Sequence, residues 1–165
     1  MPMKRKKVYL TCGPAGAGKS TWIREQMKKC EGVSVWCSRD KVRFSLLGEN
    51  DKYFSKEKEV FIKWVKNIKS AIENETVEAV FIDATHLDEK SRNKVLNKLP
   101  LDNVDVIPVN FMTSLGDCLY YNHYRTGREF IPRDVIVDMY NRFDPATFNE
   151  KYHYADILTV SGKEL

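Results

Sequence analysis

The chain has 165 residues, the length of one ordinary domain, enough to bury roughly 70% of the surface its unfolded form exposes. With 42% hydrophobic and 30% charged residues, it has neither a disordered nor a membrane composition, and no apolar run approaches the ~20 residues of a bilayer span. A net charge of +4 fits an anionic partner such as a nucleotide or nucleic acid, but modest positive charge also serves solubility.

The elements alternate. Lys4-Arg5-Lys6-Lys7 is a dense basic cluster that reads as a solvated N-terminus before the first strand, with nucleic-acid contact as the alternative. Val8 to Thr11 is a short buried strand. Gly18 to about Lys29 is a helix with Trp22, Ile23 and Met27 on one face. Val33 to Trp36 is a second strand, and the polar turn Ser38-Arg39-Asp40 leads into a short helix through Phe44 and Leu47. Ser55 to Glu73 is the clearest helix: Phe61, Trp64, Val65, Ile68 and Ile72 recur at helical spacing opposite lysines and glutamates.

Val77 to Ile82 is a mostly apolar strand, as expected when both faces are covered. Asp88 can cap a helix to about Leu99, which Pro100 stops. Val104 to Phe111 is a strand whose Pro108 predicts an edge or a bulge. Ser114 can cap a helix to about Tyr124. Tyr120, Tyr121 and Tyr124 on it are expected to be packing residues, with base stacking as the alternative. Arg125 to Ile131 is a basic connection. Pro132 suits the first turn of a last helix, with Val135, Ile136, Met139, Tyr140 and Phe143 on its apolar face. Asp156 to Val160 is a final strand. Strands separated by helices predict a single α/β domain over residues 1–165: a three-layer fold with a roughly five-stranded parallel sheet, helices on both faces, and a lid around 125–132.

The segment Gly13-Pro14-Ala15-Gly16-Ala17-Gly18-Lys19-Ser20 fits G-x-x-x-x-G-K-S without a mismatch, between a predicted strand and a predicted helix. Glycines there let backbone N–H groups turn inward as an anion nest, and the positive end of the following helix adds to the field. Lys19 would reach the β- and γ-phosphates of ATP or another nucleoside triphosphate, and Ser20 would supply a hydroxyl to Mg²⁺. Thr21 extends the loop. No N-K-x-D guanine motif accompanies it, so a compact P-loop kinase is expected over a GTPase. Ligands in such sheets bind at the carboxyl ends of the strands. That places Asp40 and Arg43 beside the loop, where a carboxylate could accept a hydroxyl proton and an arginine could neutralise phosphate. The residue pattern alone leaves a helix cap and a solvated arginine equally open.

The constellation G-P-x-G-x-G-K-S-T-W, S-R-D-x-x-R, D-A-T-H-L and R-x-G-R-E-F-I-P resembles the kinase module of bacteriophage-type 5′-polynucleotide kinases, within a wider group of small P-loop kinases. The similarity runs from Val8 to about Pro145. It implies that Asp40 is a general base toward a 5′-hydroxyl and that Arg43 contacts the acceptor near its first phosphate. It implies that Lys19 and Ser20 serve the donor, and that Arg125, after a one-residue shift, is the lid arginine, with Arg128 as the alternative. Thr85 would lie next to the acceptor, and Asp83 at a Walker-B-like strand end. His86 stands where the family often has asparagine, and no chemistry is assigned to it. There is no D-x-D-G-T motif, so a kinase alone, or one with a separate phosphatase, is expected.

The resemblance implies DNA or RNA 5′-OH ends as substrate and leaves a homo-oligomer open. A kinase of a small metabolite, nucleoside or modified base, and an NTP-binding regulatory module, remain the alternatives. Cys12, Cys30, Cys37 and Cys118 have no metal-site spacing and are expected as free thiols. With no apolar signal-peptide core, the expected location is cytoplasmic, in the host cytoplasm if the chain is phage-encoded, with no membrane partner.

Overall fold

The strand β1 (Lys6–Cys12) lies at the centre of a five-stranded sheet. The computed structural model describes residues 4–161. After β1 come α1 (Lys19–Lys29), β2 (Val33–Ser38), α2 (Arg39–Leu46), α3 (Glu57–Glu73), β3 (Val77–Asp83), α4 (Glu89–Leu96), β4 (Val104–Phe111), α5 (Leu115–His123), α6 (Arg133–Arg142) and β5 (Leu158–Val160). A 3₁₀ turn, Gly127–Glu129, sits between α5 and α6. The sheet order is β2-β3-β1-β4-β5 and every pairing is parallel.

Alternation along the strands divides the core into two layers. Val8, Leu10, Val80 and Ile82 pack with Val60, Trp64 and Ile68 of α3 and Val95 and Leu96 of α4. Phe81, Val109 and Phe111 pack on the other face with Trp22 and Ile23 of α1, Cys118 of α5 and Ile136 of α6. Both faces of the sheet are therefore covered, which is why Ala79 to Ile82 of β3 is an unbroken apolar run, while Glu78 near its start is exposed. Trp64 is only 1% exposed and also donates Nε1–H to the Cys37 carbonyl at 2.9 Å.

Four sequence expectations need correction. Pro108 marks neither an edge nor a bulge: β4 lies between β1 and β5, and its register with β1 is unbroken from Lys6↔Val104 to Cys12↔Asn110. The Val106 carbonyl accepts from Ala155 and Met112 N–H donates to Val160, so the even positions of β4 point toward β5. Pairing with β5 begins only at Val109, and the missing donor of Pro108 falls where no partner strand has started. The basic cluster is not simply solvated. Lys6 donates to the Ile72 and Asn74 carbonyls, capping the open end of α3, and Arg5 binds Asp105 at 2.7 Å. This is the amino end of the sheet, away from the strand ends that form the site.

Tyr120, Tyr121 and Tyr124 are exposed rather than packed, and Tyr140 also faces solvent. The last strand is shorter than expected, at Leu158–Val160. All four cysteines are free; three are buried and Cys30 is half-buried.

Candidate active site

The chain leaves β1 straight into Gly13, whose N–H donates to the Thr85 carbonyl at 2.8 Å. Thr113 holds the far side of the loop, its hydroxyl donating to the Ala17 carbonyl at 2.7 Å. Gly18, at φ 97°, is the left-handed residue from which α1 starts. No acidic residue occupies the first turn of α1, so its positive end stays open to an anion. Gly16 is fixed by space as well as by its φ of +80°: a Cβ there would lie 2.3 Å from the Cys118 carbonyl oxygen. Backbone cannot yield as a side chain can. Gly16→Ala should therefore lose triphosphate binding and lower the melting temperature, with a strain on the order of 1–3 kcal/mol from the dihedral alone. Nucleotide titration and thermal melting of the variant would check it.

Lys19 turns its ammonium back on the loop, donating to the Gly13 carbonyl at 2.9 Å and the Pro14 carbonyl at 2.6 Å. Burial pulls its pKa down to about 8, while the Asp83 and Asp40 carboxylates pull the other way. The charges of Asp40 and Arg125 both act on this ammonium, so the phosphate loop, the Asp40 carboxylate and the lid share one electrostatic site.

The second wall comes from α2. Ser38 is its cap, accepting from the Lys41 N–H at 3.2 Å, and Asp40 therefore sits in the first turn rather than at the cap. The Asp40 carboxylate is more than half exposed. Its Oδ1 accepts from the Tyr53 hydroxyl at 2.8 Å and from Arg43 Nη1. Its Oδ2 takes no hydrogen bond among the described residues and is free for a hydroxyl. Arg43 is buried, and Glu57 grips it bidentately, at 2.7 Å to Nε and 2.9 Å to Nη2. Arg39 also binds Glu57, at 3.2 Å. Burial works against the Glu57 charge, but the Arg43 hydrogen bonds and the neighbouring guanidinium charges outweigh it and keep the carboxyl below its ordinary range. Arg43 thus spends most of its donors on Glu57, Asp40 and Tyr53, and its direct effect is to hold Asp40 in place.

The two arginines of the lid differ in their contacts. Arg128 reaches across to the α2–α3 loop and donates to the Gly48 carbonyl at 2.6 Å and the Glu49 carbonyl at 2.8 Å. It is a latch between two loops. Arg125 also lines the cavity. Arg128→Ala should free residues 48–51 and the lid together. It should raise their amide exchange and weaken acceptor KM by roughly tenfold, the scale of lost bonds to a charged donor. Hydrogen-exchange mass spectrometry and steady-state kinetics would check this.

These parts line one cavity of about 970 Å³. Of the predicted residues, Ala15, Gly16, Gly18, Lys19, Ser20, Thr21, Asp40, Arg43, Asp83, Thr85, Arg125 and Arg128 all face it. Gly13, Pro14 and Ala17 lie buried beneath as the floor of the loop. A family model described as an AAA domain matches residues 8–146. The chain belongs to the AAA domain family. No match to a curated protein sequence is found.

Among solved structures, this AAA domain is similar to a chain in the "Pnkp1/Rnl/Hen1 RNA repair complex", at a TM-score of 0.70 and 17% identity over 91% of this chain and 51% of that one. It is similar to a fungal RNA kinase at TM-score 0.65 and 13% identity, over 94% and 38%. It is also similar to a gluconokinase from Sinorhizobium meliloti 1021 at TM-score 0.58 and 16% identity, over 97% and 84%. The chain thus spans about half the length of the first and less of the second. At these identities the likeness is one of fold, a P-loop kinase fold.

Asp83 closes the AAA domain's site at the end of β3. It accepts from Trp36 Nε1 at 2.9 Å, and burial pushes its carboxyl up while Lys19 opposes. Its carboxylate and the Ser20 hydroxyl are oxygen donors on the same cavity, a set suited to Mg²⁺. No helix of the described residues is long and apolar enough to cross a membrane.

His86, assigned no chemistry from sequence, is buried at φ 41° against Trp64, with Nδ1 2.6 Å from the Thr11 carbonyl oxygen. Burial takes its pKa down to about 3. The unfolded chain takes up this proton near pH 6.5 and the folded chain does not, so stability falls as pH drops from 6.5 toward 3. His86→Asn, which suits the same left-handed backbone, should flatten that fall by up to about 1.4 kcal/mol per pH unit; urea titrations at pH 7 and pH 5 would measure it.

Tyr53, Phe54, Glu57 and Trp36 also belong to the site and were not singled out from sequence. Their signal is weak: an aromatic pair and a glutamate in a lysine-rich segment look like helix lead-in.

Proposed function

We propose that the chain is an ATP-dependent kinase, using Mg²⁺, that phosphorylates the 5′-hydroxyl of a DNA or RNA end. The observation that carries this is the free Oδ2 of Asp40, on a carboxylate anchored through Oδ1 and sharing a cavity with Lys19. The resemblance of the S-R-D-x-x-R and D-A-T-H-L segments to polynucleotide kinases supports the acceptor, as do the two neighbours titled RNA repair complex and RNA kinase.

In the proposed reaction, Asp40 Oδ2 accepts the proton of the acceptor hydroxyl. The hydroxyl oxygen, not the carboxylate, forms a bond to the γ-phosphorus as the bond to the β-phosphate bridging oxygen breaks, releasing the nucleoside diphosphate. Lys19 and Arg125 offset charge on the migrating phosphoryl group. Ser20 and Asp83 would hold Mg²⁺, whose contribution is charge neutralisation on the phosphates. Positioning and electrostatics provide most of the rate, since phosphoryl transfer asks for little covalent help.

A second reading, transfer to a small-molecule alcohol, draws on the gluconokinase, which this chain matches over most of both lengths. Transfer of labelled γ-phosphate to a 5′-OH oligonucleotide, beside nucleosides and gluconate, separates the two. The first reading expects label on the oligonucleotide, with affinity falling as salt rises through counterion release. Label on gluconate or a nucleoside alone would overturn it.

A further inference from the structure

Phe54 is an apolar ring 61% exposed, and it lines the cavity on the acceptor side. Such a ring loses hydration free energy for as long as it stays uncovered. Its position is built rather than incidental. Tyr53 meets it edge-on with centroids 4.6 Å apart, and the Arg43 guanidinium lies 5.6 Å from its centroid. Tyr53 is fixed in turn by its hydroxyl on Asp40 and by Phe44 at 6.0 Å. The short path Asp40–Tyr53–Phe54 therefore sets a flat apolar surface within one or two nucleotides' reach of a hydroxyl held on the carboxylate.

We propose that Phe54 is the stacking platform for a nucleobase of the acceptor, at the first or second position from the 5′ end. The inference rests on the acceptor reading above and adds how the end is recognised: through a base face, not only through hydroxyl and phosphate. Stacking on an aromatic face tolerates every base, so it selects nucleic acid over sugar without selecting sequence. A gluconate-like acceptor has no planar apolar face and would leave the ring uncovered.

The test is phosphorylation of a 5′-OH oligonucleotide and of the same strand with abasic sites at its first two positions. Wild type is compared with Phe54→Ala and Phe54→Trp. Phe54→Ala should raise KM for the intact strand by about 10–100-fold, the range for one lost base stack. Phe54→Trp should restore it. The wild type should show the same rise in KM on the abasic strand, and there the gap between wild type and Phe54→Ala should shrink toward nothing. An equal penalty from Phe54→Ala on both strands, or none on either, would overturn the platform while leaving the acceptor reading standing. Failure of the wild type to label either strand would overturn the acceptor reading, and the platform with it.

Discussion

Asp40→Asn is expected to slow turnover by about 10²–10⁴-fold, the range for removal of a general base, while nucleotide affinity and melting temperature stay close to wild type. The separation follows from where the carboxylate sits. It is exposed, so the fold does not depend on it, and it lies on the α2 wall of the cavity rather than in the phosphate loop. Asparagine can still accept from Arg43 and Tyr53 through its amide oxygen, so the loss isolates proton acceptance. Single-turnover phosphorylation with saturating nucleotide would measure it, and a rate within a few-fold of wild type would remove Asp40 from the chemistry. Glu57→Gln is a useful companion. It leaves Asp40 intact but weakens the clamp on Arg43, so it should cost less than Asp40→Asn. Its defect should also include a loss of order at Asp40 and Tyr53.

The donor half of this site is legible in the sequence because its constraints are local. A loop that must turn its amides inward needs glycine at fixed offsets, and Gly16 beside the Cys118 carbonyl shows how little room remains. The sheet is legible for a similar reason: strand segments covered on both faces are apolar, as Val8-Tyr9-Leu10 of β1 and Ala79-Val80-Phe81-Ile82 of β3 are. The half around Asp40 is less so. Arg43 and Asp40 are three residues apart on one helix and could be paired by eye. Glu57, which fixes Arg43, is 14 residues away across a loop with no periodic pattern. Arg125 and Arg128 are indistinguishable as letters. Both line the cavity, and only the path of the lid ties one of them, Arg128, to the carbonyls of residues 48 and 49. The tyrosines of α5 mislead in the opposite sense. Helical spacing of aromatics signals packing only when something packs against them, and these three rings stay exposed.

The largest loss of stability is expected away from the cavity, from Glu150→Ala. Arg92 is fully buried, and among the described residues its guanidinium is neutralised by Glu150 alone, at 2.7 and 3.1 Å, across 58 residues of sequence. The remaining donor goes to the His86 carbonyl at 2.9 Å, so the pair ties α4 and the segment after α6 to the loop that follows β3. Tyr154 and the Thr147 N–H complete the carboxylate's bonds at 2.8 and 3.0 Å. Burial opposes the Glu150 charge, but the Arg92 bonds prevail and hold its carboxyl below its ordinary 4.5. The stability this pair contributes is accordingly present above pH 4.5 and lost as pH falls below it. Removing one partner strands a buried cation, which costs about 3–5 kcal/mol, or on the order of 10 °C in melting temperature for a chain of this size. Replacing both, as in Arg92→Met with Glu150→Leu, should recover most of the loss, since an apolar pair of similar volume needs no neutralisation. Denaturant melts of the single and double variants would decide the matter. A double variant as unstable as the single would mean that the bonds to His86 and Tyr154, rather than the stranded charge, set the cost.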